Sequence, residues 1–433
     1  MEDEVFHYNQ GIEKVLAYIY RLLKRSKIIL IISICFCIIL ISILICITFN
    51  HKNKLANDSS TDKKQTLNLQ HIPTKDIYGF LGNKYHDINY DENGIIKNSF
   101  KLRGDNYDEN IGEINNGLDY DKNERNKYDL YIPQTALDRK NDINGILLWI
   151  HGGAWTGGRK EHMEQICYQY SKQGYITVSF GYTILSNLYT NYNIYRILDE
   201  ISACIKSIKN ELIKLGFKED KLLLGIGGVS AGAHLALLYS YLIKDTNIIP
   251  IKFIVNIVGP IGLNEKYFLK VKSNNDTLEN IEDISIIEKA LRDGKIVPYI
   301  SLSSGLKILN AFYGGKFTNK ELKSMLFENG TLNYDNEKFK EMFKVIKNSY
   351  VTEIEDKHKI PTICVYGGID NAIGVSTFAY LKEKMDKDGR PYDFIYSRYE
   401  GHNLLRPKTK DGKEKYNEVI STIKKYLIKY FGY

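Results

Sequence analysis

The chain is short of cysteine and has no block of like charge, and each shortage removes a class of protein. Of six cysteines in 433 residues, Cys35, Cys37 and Cys46 share one apolar run, which leaves Cys167, Cys204 and Cys364 widely spaced. Three scattered thiols make neither a disulfide framework nor a zinc site, and they are expected to be buried core residues. The 59 Lys and Arg are nearly balanced by 52 Asp and Glu, for a net charge of +7. There is no long basic run and no zinc-finger or RNP-like pattern, so nucleic acid is not an expected partner. No internal repeat occurs, which excludes a solenoid. With 43% hydrophobic and 26% charged residues, most of the chain is expected to fold as one large domain with attachments.

One apolar run is long. From Ile28 to Phe49, IILIISICFCIILISILICITF carries no charge, and at about 1.5 Å per residue a helix of that length crosses a hydrocarbon core about 30 Å thick. It exceeds the length of a secretory h-region and lacks a small-x-small cleavage site. Nor does a small residue precede Cys46 as a lipoprotein signal requires. An uncleaved transmembrane signal anchor at 28–49 is therefore expected, with the lipid bilayer as a partner. Arg21, Lys24, Arg25 and Lys27 crowd its amino side, although Lys52, Lys54, Lys63 and Lys64 follow it. The immediate flank places residues 1–27 in the cytoplasm and the large domain outside. In that leader Ile12, Val15, Leu16, Ile19, Leu22 and Leu23 share a helical face, either lying on lipid or extending the membrane helix. Residues 50–70 read as a polar flexible tether. Residues 71–127, rich in Asn, Asp, Gly and Tyr, show no sustained period, and are expected to wrap the domain or to stay partly unstructured.

From Tyr128 onward short apolar runs alternate with helical patterns, the texture of a mostly parallel sheet with crossover helices. KYDLYIP, GILLWI, GYITVSFGY, KLLLGIGG, KFIVNIVGP, IPTICVYGG and YDFIYSRY are the expected strands. Across IYRILDEISACIKSIKNELIKLG, Ile194, Ile197, Leu198, Ile201, Ile205, Ile208 and Leu212 keep a 3.6-residue period. KLLLGIGG delivers Ser230 at its carboxyl end, and a helix over SAGAHLALLYSYLI follows. A serine at such a strand-to-helix turn stands clear of the backbone. Gly228 and Gly232 let strand and helix approach, and the helix amino terminus favours developing negative charge.

A nucleophilic serine needs oxyanion donors, a base and an orienting acid. HGGAW, directly after GILLWI, offers the amides of Gly152, Gly153 and Ala154, and Ala231 adds another beside the serine. Position narrows the histidines. His7, His51 and His71 lie in or beside the membrane and tether segments, and His86 precedes the strands. His151 opens the oxyanion loop, His234 points along the helix after Ser230, and His358 stands at the wrong end of a strand. His402, in YEGHNL, remains at a strand's carboxyl end as the base. Asp370, after PTICVYGG, occupies the equivalent place for the acid, with Glu400 and Asp393 as alternatives.

YDLYIP, LLWIHGGAW, GGVSAGAHLA, YGGIDNAIG and YEGHNL together resemble the α/β-hydrolase superfamily. Within it they are similar to the branch of esterases and lipases that holds hormone-sensitive lipase and the acetyl or feruloyl xylan esterases. The resemblance covers roughly Asp129 to Tyr433. It implies an α/β-hydrolase fold, ester hydrolysis through an acyl-enzyme at Ser230, and no cofactor or metal. The chain departs from the pattern at Ala154, where relatives often have a third glycine; the HGGxW subgroup so indicated includes arylformamidase-like amidases. It also has Ala233 where glycine is usual, and NSYVTEI where a Ser-Pro is common. Prolyl-oligopeptidase-like enzymes carry a bulky aromatic where this chain has Ala231.

Between Val258 and Pro361 the connection far exceeds one crossover helix, and a helical cap insertion is expected at about 263–348, inside a catalytic domain of 128–433. Phe312, Tyr313, Phe317 and Phe327 are candidates to line an acyl pocket or to form the cap's own core. The expected activity is a membrane-anchored serine esterase acting on short-acyl or carbohydrate-linked esters. Alternatives are an arylformamidase-like amidase, or a surface binding protein that kept the fold without its chemistry.

Overall fold

The computed structural model describes residues 95–101, 127–185, 193–242, 248–264, 267–273, 278, 281–298 and 301–433, all within the second of the chain's two compact units, Lys75–Tyr433. The leader at 1–27, the expected membrane span at 28–49 and the tether at 50–70 lie outside the described residues. Among the described residues no helix is long and apolar enough to cross a membrane.

Strands β1 (Ile95–Lys101), β2 (Lys127–Pro133), β3 (Asn144–Ile150), β4 (Ile176–Gly181), β5 (Leu222–Val229) and β6 (Ile251–Ile257) are joined by β9 (Thr362–Gly367) and β10 (Tyr392–Ser397). They make one eight-stranded sheet in the order β1-β2-β4-β3-β5-β6-β9-β10. β2 runs antiparallel to β1 and to β4, and every pairing from β4 to β10 is parallel. All seven residues of β3 are buried, which is why it reads as an unbroken apolar run: a parallel strand covered on both faces has no polar side to alternate with.

Helices follow the strands: α1 (Gln134–Asp138), α2 (Glu164–Ser171), α3 (Ile194–Lys214), α4 (Ala231–Leu242), then α5 (Ile284–Arg292), α6 (Leu302–Tyr313), α7 (Asn319–Ser324), α8 (Glu337–Lys347), α9 (Ser376–Asp388) and α10 (Lys410–Phe431). Every member of the periodic stripe on α3 is buried. Asn193 caps that helix by accepting from the amides of Tyr195 and Arg196 at 3.1 and 3.2 Å. On one face of the sheet Leu147, Trp149, Phe253, Val255 and Val365 form a core with Tyr170 of α2 and with Ile423, Leu427 and Phe431 of α10. Ile146 and Leu148 alternate to the other face, and α4 packs on β3, β5 and β6 and against α3. Cys167, Cys204 and Cys364 are free and buried, and burial pushes all three thiols up from their ordinary range.

Within 71–127, read as wrapping the domain or staying partly unstructured, β1 is a strand laid on the sheet. It pairs with β2 from Ile95 opposite Pro133 to Lys101 opposite Lys127, and Ile95 and Ile96 are buried. Its sequence, IIKNSFK, has no strand alternation of its own; the order comes from a partner distant in the chain. The long connection after β6 holds a short antiparallel pair, β7 (Leu269–Val271) with β8 (Ile296–Pro298), together with α5 to α8.

Candidate active site

Ser230 stands between β5 and α4 with φ 56°, a left-handed conformation uncommon for a residue with a side chain. The turn is held on both sides. Its amide donates to the carbonyl of Ile257 at 2.9 Å, and its carbonyl accepts from the amides of Ala233 and His234 at 3.0 and 3.1 Å, the first turn of α4. A methyl group at Gly228 would sit 2.3 Å from the carbonyl carbon of Gly232, and one at Gly232 would sit 2.1 Å from the carbonyl oxygen of Ile150. Both glycines are thus required by close approach of backbone to backbone.

The neighbouring strand β3 delivers the HGGAW loop against this turn. A Cβ at Gly152 would lie 2.8 Å from the Val229 carbonyl oxygen and 3.2 Å from the Ser230 Cβ. Gly153, Ala154 and Trp155 have φ of 123°, 49° and 60°, so three consecutive residues are left-handed, two of them with side chains, and the loop must be held by its surroundings. The amides of Thr156 and Gly157 close it onto the Gly153 carbonyl at 3.1 and 2.9 Å, and the Trp155 carbonyl accepts from Leu185 at 2.8 Å. Trp155, 4% exposed, meets Phe312 of α6 edge-on at 4.6 Å and His234 of α4 at 5.4 Å. His151 stacks on Tyr182 at 4.2 Å, and its Nδ1 lies 2.7 Å from the Gly152 carbonyl. The amides of Gly152, Gly153, Ala154 and Ala231 donate to no backbone carbonyl among the described residues. They are free to serve an oxygen bearing developing negative charge beside Ser230.

Asp370 follows β9 and His402 follows β10, the next two strand ends beyond β6. His402 Nδ1 and Asp370 Oδ2 are 2.8 Å apart. The other oxygen of Asp370 accepts from the amides of Ala372 and Ile373 at 2.7 and 2.9 Å. Asp370 is 1% exposed, whereas the imidazole of His402 is 29% exposed: a buried carboxylate fully occupied with donors fixes one edge of a ring whose other edge is accessible. The two loops press together, since a Cβ at Gly367 would fall 2.5 Å from the Glu400 carbonyl oxygen. Ser230 and His402 make no hydrogen bond with each other in the structure, so the contact that exists is the acid–imidazole pair.

The alternatives of the sequence are placed elsewhere. Glu400 accepts from the amides of Lys408 and Thr409 at 3.0 and 2.6 Å and from the Thr409 hydroxyl at 2.5 Å, holding the turn into α10. Burial alone would raise its carboxyl; those hydrogen bonds outweigh it and hold the group below the usual range. Asp393 lies near the amino end of β10 and meets the hydroxyl of Tyr426. His234 is buried, with Nε2 3.2 Å from the Ser349 carbonyl, and burial pushes its imidazole down to about 4. His162, passed over in the elimination by position, is exposed in the turn before α2, its ring 6.4 Å from that of His151. No cluster of His, Cys, Asp and Glu among the described residues could hold a metal ion.

A cavity of about 550 Å³ opens beside Ser230, bounded on the sheet side by Ala154 and Trp155 and on the other by Ser301, Ser304 and Ile308 of the α6 region. Pro260, Phe268 and Ile373 complete its apolar wall, with Leu263 and Ala372. None of the four aromatic candidates lines it. Phe312 is buried against Trp155, Tyr313 stacks on Phe317 at 5.4 Å, and Phe327 is 47% exposed. The lining was not legible in the sequence because it comes from five separated segments whose meeting no local pattern records.

Residues 128–297 match the BD-FAE family model. The sheet order, the serine turn and the loop after β3 are those of an α/β-hydrolase fold, as the motifs implied. Among solved structures, esterase B from Lactobacillus Rhamnosis is 13% identical, with a TM-score of 0.48 over 79% of this chain and 89% of that one. A bacterial heroin esterase is 16% identical, with a TM-score of 0.48 over 79% and 87%. A truncated carbohydrate esterase from gut microbiota is 14% identical, with a TM-score of 0.46 over 76% and 98%. No curated protein matches the chain.

Proposed function

We propose that the chain is a membrane-anchored serine esterase that hydrolyses carboxylic esters, short-acyl or carbohydrate-linked, through an acyl-enzyme on Ser230. The observation that supports this reading is a left-handed serine at φ 56° after β5 together with an Asp370–His402 pair 2.8 Å apart after β9 and β10, all at the carboxyl ends of parallel strands. In the first half-reaction His402 takes the Ser230 proton as Oγ attacks the ester carbonyl. The resulting oxyanion is met by amides of Gly152, Gly153 and Ala154 and by that of Ala231 at the amino end of α4. His402 then protonates the departing alcohol, and in the second half-reaction it deprotonates the water that attacks the acyl carbon and returns Ser230. Asp370 keeps the proton of His402 on Nδ1, so that Nε2 is the basic nitrogen. Among the described residues nothing in this sequence of steps calls for a cofactor.

Residues 28–49 anchor the enzyme in the bilayer, with the amino terminus cytoplasmic and the hydrolase domain outside; the support is the uncharged run and its basic amino flank. Turnover of p-nitrophenyl butyrate by the full-length chain in detergent, beside Ser230→Ala, tests the chemistry: a folded variant with less than about a thousandth of the activity is expected, and retained activity refutes it. Protease accessibility of the domain in sealed membrane vesicles tests the orientation. Matched amide substrates turned over faster than the esters would replace this reading by the amidase one.

A further inference from the structure

We propose that the cavity beside Ser230 receives an uncharged aliphatic acyl group of intermediate length, about four to ten carbons, and that Phe268 sets its upper limit. This rests on the esterase reading and specifies its acyl side.

Polarity comes first. Among the described residues none that lines the cavity carries a charge, so against these walls an acyl group ending in a carboxylate or ammonium would lose its water with no partner to replace it. Exposure then gives the cavity a direction. Ala154, Ser301 and Ser304 are exposed, while Pro260, Phe268 and Ile373 are buried. The mouth is therefore the end with hydroxyls and the interior is apolar. Ser301 Oγ donates to Ser304 Oγ at 2.9 Å and accepts from the Ser304 amide at 3.2 Å, a polar edge past which the alcohol portion leaves for solvent. The acyl chain takes the opposite direction, inward to Phe268.

Size decides the length. At roughly 30 Å³ per water-sized or carbon-sized unit, a cavity of about 550 Å³ holds roughly 18 such units. An acetyl group fills about a tenth of it and leaves the apolar wall uncovered. A palmitoyl chain of 16 carbons needs nearly all of it, including the mouth through which the alcohol portion leaves. Each methylene buried between those extremes raises kcat/KM about fourfold, until the chain meets Phe268.

The experiment is a p-nitrophenyl ester series from acetate to palmitate on the full-length chain in detergent, with Phe268→Trp and Phe268→Ala beside it. The expected kcat/KM peaks between butyrate and decanoate, at least about tenfold above acetate and palmitate. The peak should shift shorter in Phe268→Trp and longer in Phe268→Ala, and the hemisuccinate ester should be a poor substrate. Should either variant fail to fold, Ile308→Trp on α6 provides the same shortening from the other wall. A profile that falls steadily from acetate, or variants that lower every ester equally, overturns the proposal. Labelling of Ser230 by a small fluorophosphonate separates the two levels: a labelled enzyme with the wrong profile rejects the acyl site alone, and an unlabelled enzyme inert on every ester rejects the site and the esterase reading together.

Discussion

Replacing Asp370 by Asn is the substitution whose effect the structure specifies most fully. The change is isosteric, so the loop after β9 should keep its shape, and the question is which way the amide faces. Two backbone donors, Ala372 and Ile373, already point at one side-chain oxygen at 2.7 and 2.9 Å. Turning the amide nitrogen toward them would leave two buried donors unsatisfied, at roughly 1–3 kcal/mol each. The introduced asparagine therefore keeps its oxygen where Oδ1 of Asp370 was, and its NH₂ faces His402 Nδ1 across the position of the 2.8 Å bond. That forces the imidazole to accept at Nδ1 and carry its proton on Nε2, where it can no longer take one from Ser230. A trapped tautomer in a triad costs on the order of 10⁴ in kcat, about 5.5 kcal/mol of barrier. Initial rates on p-nitrophenyl butyrate measure the loss, and a melting curve shows that the fold survives. A variant keeping more than about a tenth of wild-type kcat with an unchanged melting temperature would show that Asp370 does not set the state of His402.

Other substitutions separate roles that lie close together in the chain. Glu400→Gln should leave kcat within about threefold while lowering stability by roughly 1–3 kcal/mol, since its carboxylate holds the turn into α10. The lowered Glu400 carboxyl contributes stability at neutral pH that is lost as pH falls through its folded-state value, so the variant should also show a shallower acid unfolding profile by circular dichroism. His234 is kept neutral by burial down to about 4 against 6.5 in the open chain. The unfolded state therefore binds a proton in that window that the folded state refuses, and stability should fall by roughly 3 kcal/mol between pH 6.5 and 4; His234→Gln should flatten that slope in denaturant titrations. Arg390, clamped to Asp356 by bonds of 2.6 and 2.9 Å in the interior, should cost about 3–5 kcal/mol when changed to Ala, because a buried carboxylate is left without its partner. Phe312→Ala should cost about 3–5 kcal/mol and, by removing the wall behind Trp155, lower kcat more than it raises KM.

Much of the fold is legible because a parallel sheet writes itself into short apolar runs. The seven runs from KYDLYIP to YDFIYSRY correspond to β2, β3, β4, β5, β6, β9 and β10, and the stripe on α3 is buried as its period requires. The last strand ends at Ser397 rather than Tyr399, since its end is set by the loop packing under Gly368 and not by β propensity. β1 was not legible, because IIKNSFK owes its order to pairing with β2 and lies in a stretch dominated by Asn and Asp. For the candidate site, the positions of Asp370 and His402 after two apolar runs are local features, and so is the serine between Gly228 and Gly232. What local pattern omits is how the pieces meet: that Glu400, two residues from His402, turns away toward Thr409, that Phe312 backs Trp155 instead of lining a pocket, and that Phe268, Ile308 and Ile373 converge on Ser230.

Whether Ser230 is the nucleophile is decided by covalent trapping. Full-length protein treated with a fluorophosphonate, digested and sequenced by mass spectrometry, should carry the phosphonyl group on the Ser230 peptide, and labelling should vanish in Ser230→Ala and fall steeply in His402→Ala. An adduct on a different serine, or a folded chain that stays unlabelled, would contradict it.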